Sequence, residues 1–167
     1  VSVCARGMDG AGYVEYSAGW RAQPLQMAKN IVNLYHSVNA DALVIEKNHG
    51  GVWLPTVLRQ IDRYLNIKIV WASEGKVTRA RPVAALFEPV EGDGDPYRAK
   101  LVGEHEDLET QLTTYTGQPK EASPDELDAV AVDVAHELVT AASDRGLAAV
   151  EVLGGSTGRD LPADDVD

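Results

Sequence analysis

One stretch constrains the fold more than any other: "DALVIEKN", residues 41–48. Ala42, Leu43, Val44 and Ile45 follow one another with no polar alternation, and the run is too short for a core helix. Such a segment predicts a short strand covered on both faces. Its neighbours have helical spacing. Before it, "QPLQMAKNIVNLYHSV" sets Leu25, Met27, Ala28, Ile31, Val32, Leu34 and Tyr35 on one side, with Pro24 fitting the first turn. After it, "WLPTVLRQIDRYL" aligns Leu54, Val57, Leu58, Ile61 and Leu65, and a second short strand follows at "NIKIVWA". Helices alternating with buried strands predict an α/β fold. Upstream, "VSVCARG" and "GYVEYSAG" read as two strands joined only by the turn "MDGAG", which makes the sheet mixed.

The remaining segments are more polar. "SEGKVTRA" reads as a basic loop, and "RPVAALFE" as a helix with Pro82 near its start. A turn-rich stretch leads to a short strand at Lys100–Val102. "HEDLETQLTTY" and "PDELDAVAVDVAHELVTAA" read as two further helices. From about Arg145 the chain is glycine-rich and acidic, so residues 1–143 are expected to form one domain and 144–167 a flexible tail. A length of 167 residues can bury a core without metal or disulfide staples. The single Cys4 excludes an internal disulfide and a cysteine-based zinc site, which fits a reducing compartment. No apolar run approaches the roughly 18 residues of a membrane span. No GxxxxGK[ST] phosphate loop occurs. The opening "VSVCARGMDG" has no signal-peptide pattern and is expected to belong to a fragment whose natural start lies upstream.

The net charge of −11 disfavours nucleic acid as a default partner, but the charge is uneven. Between residues 59 and 81, six basic residues (Arg59, Arg63, Lys68, Lys76, Arg79, Arg81) face two acids (Asp62, Glu74), a local balance of +4. That block can meet an anion, or it can be a solvated charged loop.

Candidate chemistry rests on carboxylates. Sites in open α/β sheets form at the carboxyl ends of strands, which is where Glu46 follows Leu43, Val44 and Ile45. Glu46 either marks the solvent edge of its strand or is a rigid, half-desolvated acid that needs a cation. A second set lies in "SPDELDAVAVDVA". Ser123 is suited to cap a helix, Pro124 to its first position, and Glu126 to close a capping box. Asp125 and Asp128 are then neighbours three residues apart. Asp128 shares its side with Ala131, Val132, Ala135 and Val139, whereas Asp125 is also explained by the helix dipole. Carboxylates from a strand end and a helix start suit Mg2+ or Mn2+, and two such ions serve phosphodiester hydrolysis. The histidines are weaker candidates. His36 and His136 read as surface or packing residues, His105 opens a helix in an acidic patch, and His49 sits near Glu46.

The segments "ALVIEKNHGGVWLPTVLR", "ASEGKVTRARPVAALFE", "LETQLTTYTG" and "SPDELDAVAVDVAHEL" resemble, in this order, the C-terminal nuclease domain of phage large terminase subunits, over about residues 1–140. The resemblance implies a ribonuclease H-like mixed sheet flanked by helices. It also implies a metal-dependent endonuclease that cuts double-stranded DNA during genome packaging, using Mg2+ or Mn2+. It matches Glu46 to the family's strand-end acid and Asp128 to its final acid, with Asp125 as an accessory ligand. Lys76, Arg79 and Arg81 would then hold DNA phosphates. The implied partners are an upstream packaging ATPase domain, the portal and the small terminase subunit, in the host cytoplasm and with no membrane. The chain departs from the family at one point, because the family's first catalytic aspartate lies on a strand before "VSVCARG", and Asp9 in the following turn is a poor substitute. Two other readings stay open: a different ribonuclease H-like nuclease such as a junction resolvase, and a non-catalytic DNA-gripping or docking module.

Overall fold

The computed structural model describes residues 1–46, 53–71, 76–92, 96–116, 127, 130 and 148–153. The chain opens with a hairpin of β1 (Ser2–Arg6) and β2 (Gly12–Ser17). Its turn closes through Gly7 N–H to Ala11 O at 2.9 Å and Gly10 N–H to Gly7 O at 3.0 Å. Gly10 has φ +83°, a left-handed conformation that a side chain resists. The register slips between Val3 and Cys4, so that Glu15 is the extra residue of a bulge. The bulge lets Val14 and Tyr16 join cores on opposite faces of the sheet, although they are two residues apart.

Helix α1 (Pro24–Ser37) opens on its proline and ends in a Schellman motif. Ala40 N–H reaches Tyr35 O at 3.0 Å, Asn39 N–H reaches His36 O at 3.2 Å, and Asn39 takes φ 50°. The chain then enters β3 (Ala42–Glu46), buried at every position as the sequence predicts. Helix α2 (Trp53–Ile61) and β4 (Ile67–Val70) follow, then α3 (Lys76–Ala84), β5 (Ala99–Leu101), α4 (Glu106–Thr114) and β6 (Ala148–Leu153).

Among the described residues, six strands form one mixed sheet in the order β4-β3-β6-β1-β2-β5. Strands β4, β3 and β6 are mutually parallel; β1 is antiparallel to both β6 and β2, and β2 is parallel to β5. Helices cover both faces. On one, Ala28, Ile31 and Val32 of α1 with Leu54 and Leu58 of α2 pack on Val3, Leu43 and Ile45. On the other, Val83 of α3, Leu108 of α4, Leu127 and Val130 pack on Cys4, Val14 and Ala99. Each fully enclosed side chain of the size of Leu58 or Leu108 contributes about 1.5–3 kcal/mol. The α/β class and the mixed sheet flanked by helices agree with the sequence reading. No described helix is long and apolar enough to cross a membrane.

Two expectations are corrected. Residues 148–153, assigned to the tail that begins at 144, form a strand hydrogen-bonded on both sides, by β1 and by β3. Their short apolar run "AAVEVL" is diluted by the glycines and acids after it, and composition over a window hides it. Residues 76–80, read as loop, are the opening turns of α3. Pro82 misled that reading: it lies inside the helix, near its end, instead of at the start.

Candidate functional site

Strand β3 alternates its side chains between the two faces of the sheet. Leu43 and Ile45 belong to the α1/α2 face, so Val44 and Glu46 turn to the α3/α4 face. Glu46 is only 5% exposed. It is therefore no solvent-edge residue. A carboxylate this enclosed must be met by donors or a cation, and Glu46 does have a partner within the chain.

Because β3, β4 and β6 are parallel, their carboxyl ends come level: Glu46 pairs in register with Val70 on one side and Leu153 on the other. This end of the sheet is where α/β proteins place ligands. Register also sets Glu151 of β6 level with Val44 and Ser2, a position the tail assignment could not have found.

The other acids stand differently. Asp125 and Asp128 lie outside the described residues, as does His49. Their neighbours Leu127 and Val130 are helical, buried, and packed on the α3/α4 face, the same face as Glu46. Leu127 N–H donates to Oε1 of Gln111 at 3.1 Å, which ties this backbone to α4. Among the described residues there is no group of three or more His, Cys, Asp or Glu able to hold a metal. Of the three acids that the sequence singles out, Glu46, Asp125 and Asp128, only Glu46 lies among the described residues.

Lys76, Arg79 and Arg81 have their backbone on α3, and Arg81 is exposed. The side chains of Lys76 and Arg79 are outside the described part. On a helix, positions 76 and 79 share a side and position 81 does not.

Several polar residues turn out to be structural. Asp9 accepts from Ala11 N–H at 3.1 Å and from the Tyr13 hydroxyl at 2.7 Å, with Lys100 Nζ at 3.5 Å. The Tyr13 hydroxyl foremost, then the Ala11 N–H, holds its carboxyl below the usual carboxylate range. Asp9 is thus committed to its turn. His105 is 6% exposed. Its Nε2 donates to Val102 O at 3.0 Å, since a carbonyl can only accept, and its Nδ1 lies 3.1 Å from Ser17 Oγ. The sequence offered no signal for that burial, because Ser17 is 88 residues away. His36 meets Asp62 at 2.8 Å and ties α1 to the end of α2.

No family model, curated protein or solved structure matches the chain.

Proposed function

We propose that this chain is a metal-dependent endonuclease domain on a ribonuclease H-like fold, cutting double-stranded DNA during phage genome packaging. The observation that carries the reading is Glu46, a buried carboxylate at the carboxyl end of a parallel strand, on the face where Leu127 and Val130 are packed. The motifs that resemble large terminase subunits supply the rest. In this reading Glu46, Asp128 and accessory Asp125 hold Mg2+ or Mn2+. A bound divalent ion supplies a polarised water and offsets charge at the leaving oxygen. The chain's own part is to keep the carboxylates fixed: β3 holds Glu46 inside the sheet, and Leu127 and Val130, on either side of Asp128 in the sequence, are buried. Lys76 and Arg79 on one side of α3 grip phosphates, with Arg81 adding a contact. The proposed partners are double-stranded DNA, an upstream packaging ATPase domain, the portal and the small terminase subunit, in the host cytoplasm.

Two measurements on the wild type and on Glu46→Gln test the reading: Mn2+ binding and plasmid cleavage with Mn2+ or Mg2+, each with an EDTA control. Gln keeps the volume and one acceptor oxygen but loses the charge. The wild type is expected to bind Mn2+ and to nick plasmid, and Glu46→Gln to lose most of both while melting at an equal or higher temperature. Equal Mn2+ affinity in the two proteins would sink the nuclease reading and leave the DNA-gripping module. Preferential cutting of four-way junctions would favour a resolvase. Separately, reversing Lys76, Arg79 and Arg81 to Glu should weaken duplex binding and flatten its log–log salt slope by about 2–3, near 0.9 per lost phosphate contact. Lys76 and Arg79 should carry more of that change than Arg81.

A further inference from the structure

The sheet ends on β4, and among the described residues no strand pairs with its outer side. The ladder to β3 shows which groups face out. Leu43 N–H donates to Asn66 O at 2.9 Å, and Ile67 and Ile69 stand in register with Leu43 and Ile45. In a parallel ladder alternate residues of a strand bond to the neighbour. Residues 66, 68 and 70 therefore turn to β3, and Ile67 and Ile69 turn away from it. Ile67 N–H is given locally to Leu65 O at 3.1 Å. The outward groups are then Ile67 O and both main-chain groups of Ile69. Natural edges are blunted by prolines, bulges or brevity. β4 has no proline and pairs with β3 without a bulge, whereas β5 at the opposite edge has only three residues. Side chains divide along the same strand. Ile69 shares the α1/α2 face with Ile45 yet is 43% exposed, and Lys68 takes the other face. Tyr64 and Trp71, both exposed, flank the strand, and the Arg63 guanidinium lies 5.0 Å from the Tyr64 ring centre. Between residues 61 and 71 the charges are Arg63 and Lys68 against Asp62, which His36 and the Tyr64 N–H already engage. This rim is basic on a chain of net charge −11.

We propose that the outer edge of β4 docks an extended peptide of a protein partner, one that alternates acidic and apolar residues and joins the sheet as a further strand. The two chemistries come from one register. Main-chain bonds form at Ile67 O and at the N–H and O of Ile69, while apolar side chains of the added strand lie beside Ile69 and acidic ones beside Lys68. A second copy of this chain fits less well. Antiparallel pairing of two β4 edges sets Lys68 of both copies on one face and joins two chains of net charge −11. Duplex DNA would meet the two cations but leaves the apolar side chain and outward main chain of Ile69 without partners. The proposal is independent of the nuclease reading and of any metal.

Amide exchange of the full wild-type chain, without and with a capped seven-residue peptide alternating glutamate and valine, tests this. At millimolar peptide, exchange at Ile69 should slow at least about fivefold, as expected for a newly formed hydrogen bond. Three altered peptides separate the causes. Methylating the valine nitrogens in one and the glutamate nitrogens in another removes the donors of one side at a time. One of the two should bind about tenfold more weakly and the other as before, since an added strand bonds through one side only. A lysine–valine peptide should bind about tenfold more weakly at low salt. Ile69→Pro removes one outward donor without touching the ladder to β3 and should weaken the glutamate–valine peptide about three- to tenfold. Lys68→Glu should reverse the preference between the glutamate and lysine peptides. If Ile69→Pro does not fold, the methylated peptides on the wild type decide alone. No protection of Ile69 by the glutamate–valine peptide overturns the proposal, as does equal binding of the two methylated peptides or of the lysine peptide. Slow exchange at Ile69 in the free protein also overturns it, by showing that the chain itself or a second copy holds the edge. Displacement of the peptide by a short DNA duplex assigns the edge to DNA and overturns it as well.

Discussion

On the α1/α2 face the buried core is apolar throughout, from Val3 and Ile31 to Leu43, Ile45 and Leu58. The three buried polar or charged residues among the described ones, Ser2, Glu46 and His105, all belong to the opposite side. Ser2 and Glu46 alternate away from Val3 and Ile45, and His105 is held by Ser17, the register partner of Ser2. The faces also differ in how they are assembled. The α1/α2 core draws mainly on residues 28 to 65, apart from Val3, whereas the α3/α4 core joins Cys4 to Val130. One face is a local packing solution. The other accepts the desolvation of polar groups, which a fold tolerates when those groups are satisfied or used. This division is what makes Glu46 a candidate for chemistry rather than a packing accident.

The comparison can be broken or sharpened by substitutions on each side, all read by urea unfolding unless stated. The largest loss is expected from Leu43→Ala on the α1/α2 face, about 2–5 kcal/mol, since the residue has no exposure and leaves a cavity. A loss below about 1 kcal/mol would show that this face is not the main support. His105→Ala comes next, at about 1–3 kcal/mol, because it strands Val102 O and the Ser17 hydroxyl without their partner. A larger loss than Leu43→Ala would make the polar side the stronger one and reverse the comparison. Asn39→Ala, at the left-handed residue that returns α1 toward β3, should cost about 1–2 kcal/mol, and Asn39→Gly should cost none of it. The smallest effect is Asp62→Asn. The Tyr64 N–H foremost, with His36, lowers the Asp62 carboxyl below its usual range. The fold therefore favours its ionised form. That support is complete above the ordinary carboxylate value and is lost as pH falls through the lowered one. Melting temperatures of wild type and Asp62→Asn should differ at pH 7 and converge as pH falls well below the ordinary carboxylate range.

Much of the α1/α2 side was legible in the sequence. Helices α1 and α2 follow from 3.6-residue spacing and β3 from an unbroken apolar run. The α3/α4 side was less so, for physical reasons. Its core is built from residues distant in sequence, and no local period tells which face a strand residue takes. Glu46 could be read as an acid at a strand end, but its strand is flanked by β6, which pairs with β3 from more than 100 residues away. His105 and Gln111 have no local signature at all, since each is defined by a partner on another element. The acids at 125 and 128 were legible through a capping pattern, the apolar spacing beside Asp128 and the family resemblance, and they remain proposals.

The position of β6 gives the molecule a history as well as a shape. The last described strand fills the slot between β1 and β3, so the sheet is two separate ribbons until that strand arrives. On a ribosome, β1 and β3 emerge early, each with one open edge of unpaired amides and carbonyls. Roughly 100 further residues must be made before those edges close, about 5–20 s at ordinary elongation rates of ~5–20 residues per second. Nascent chains in that interval are the ones most exposed to joining a neighbour strand to strand.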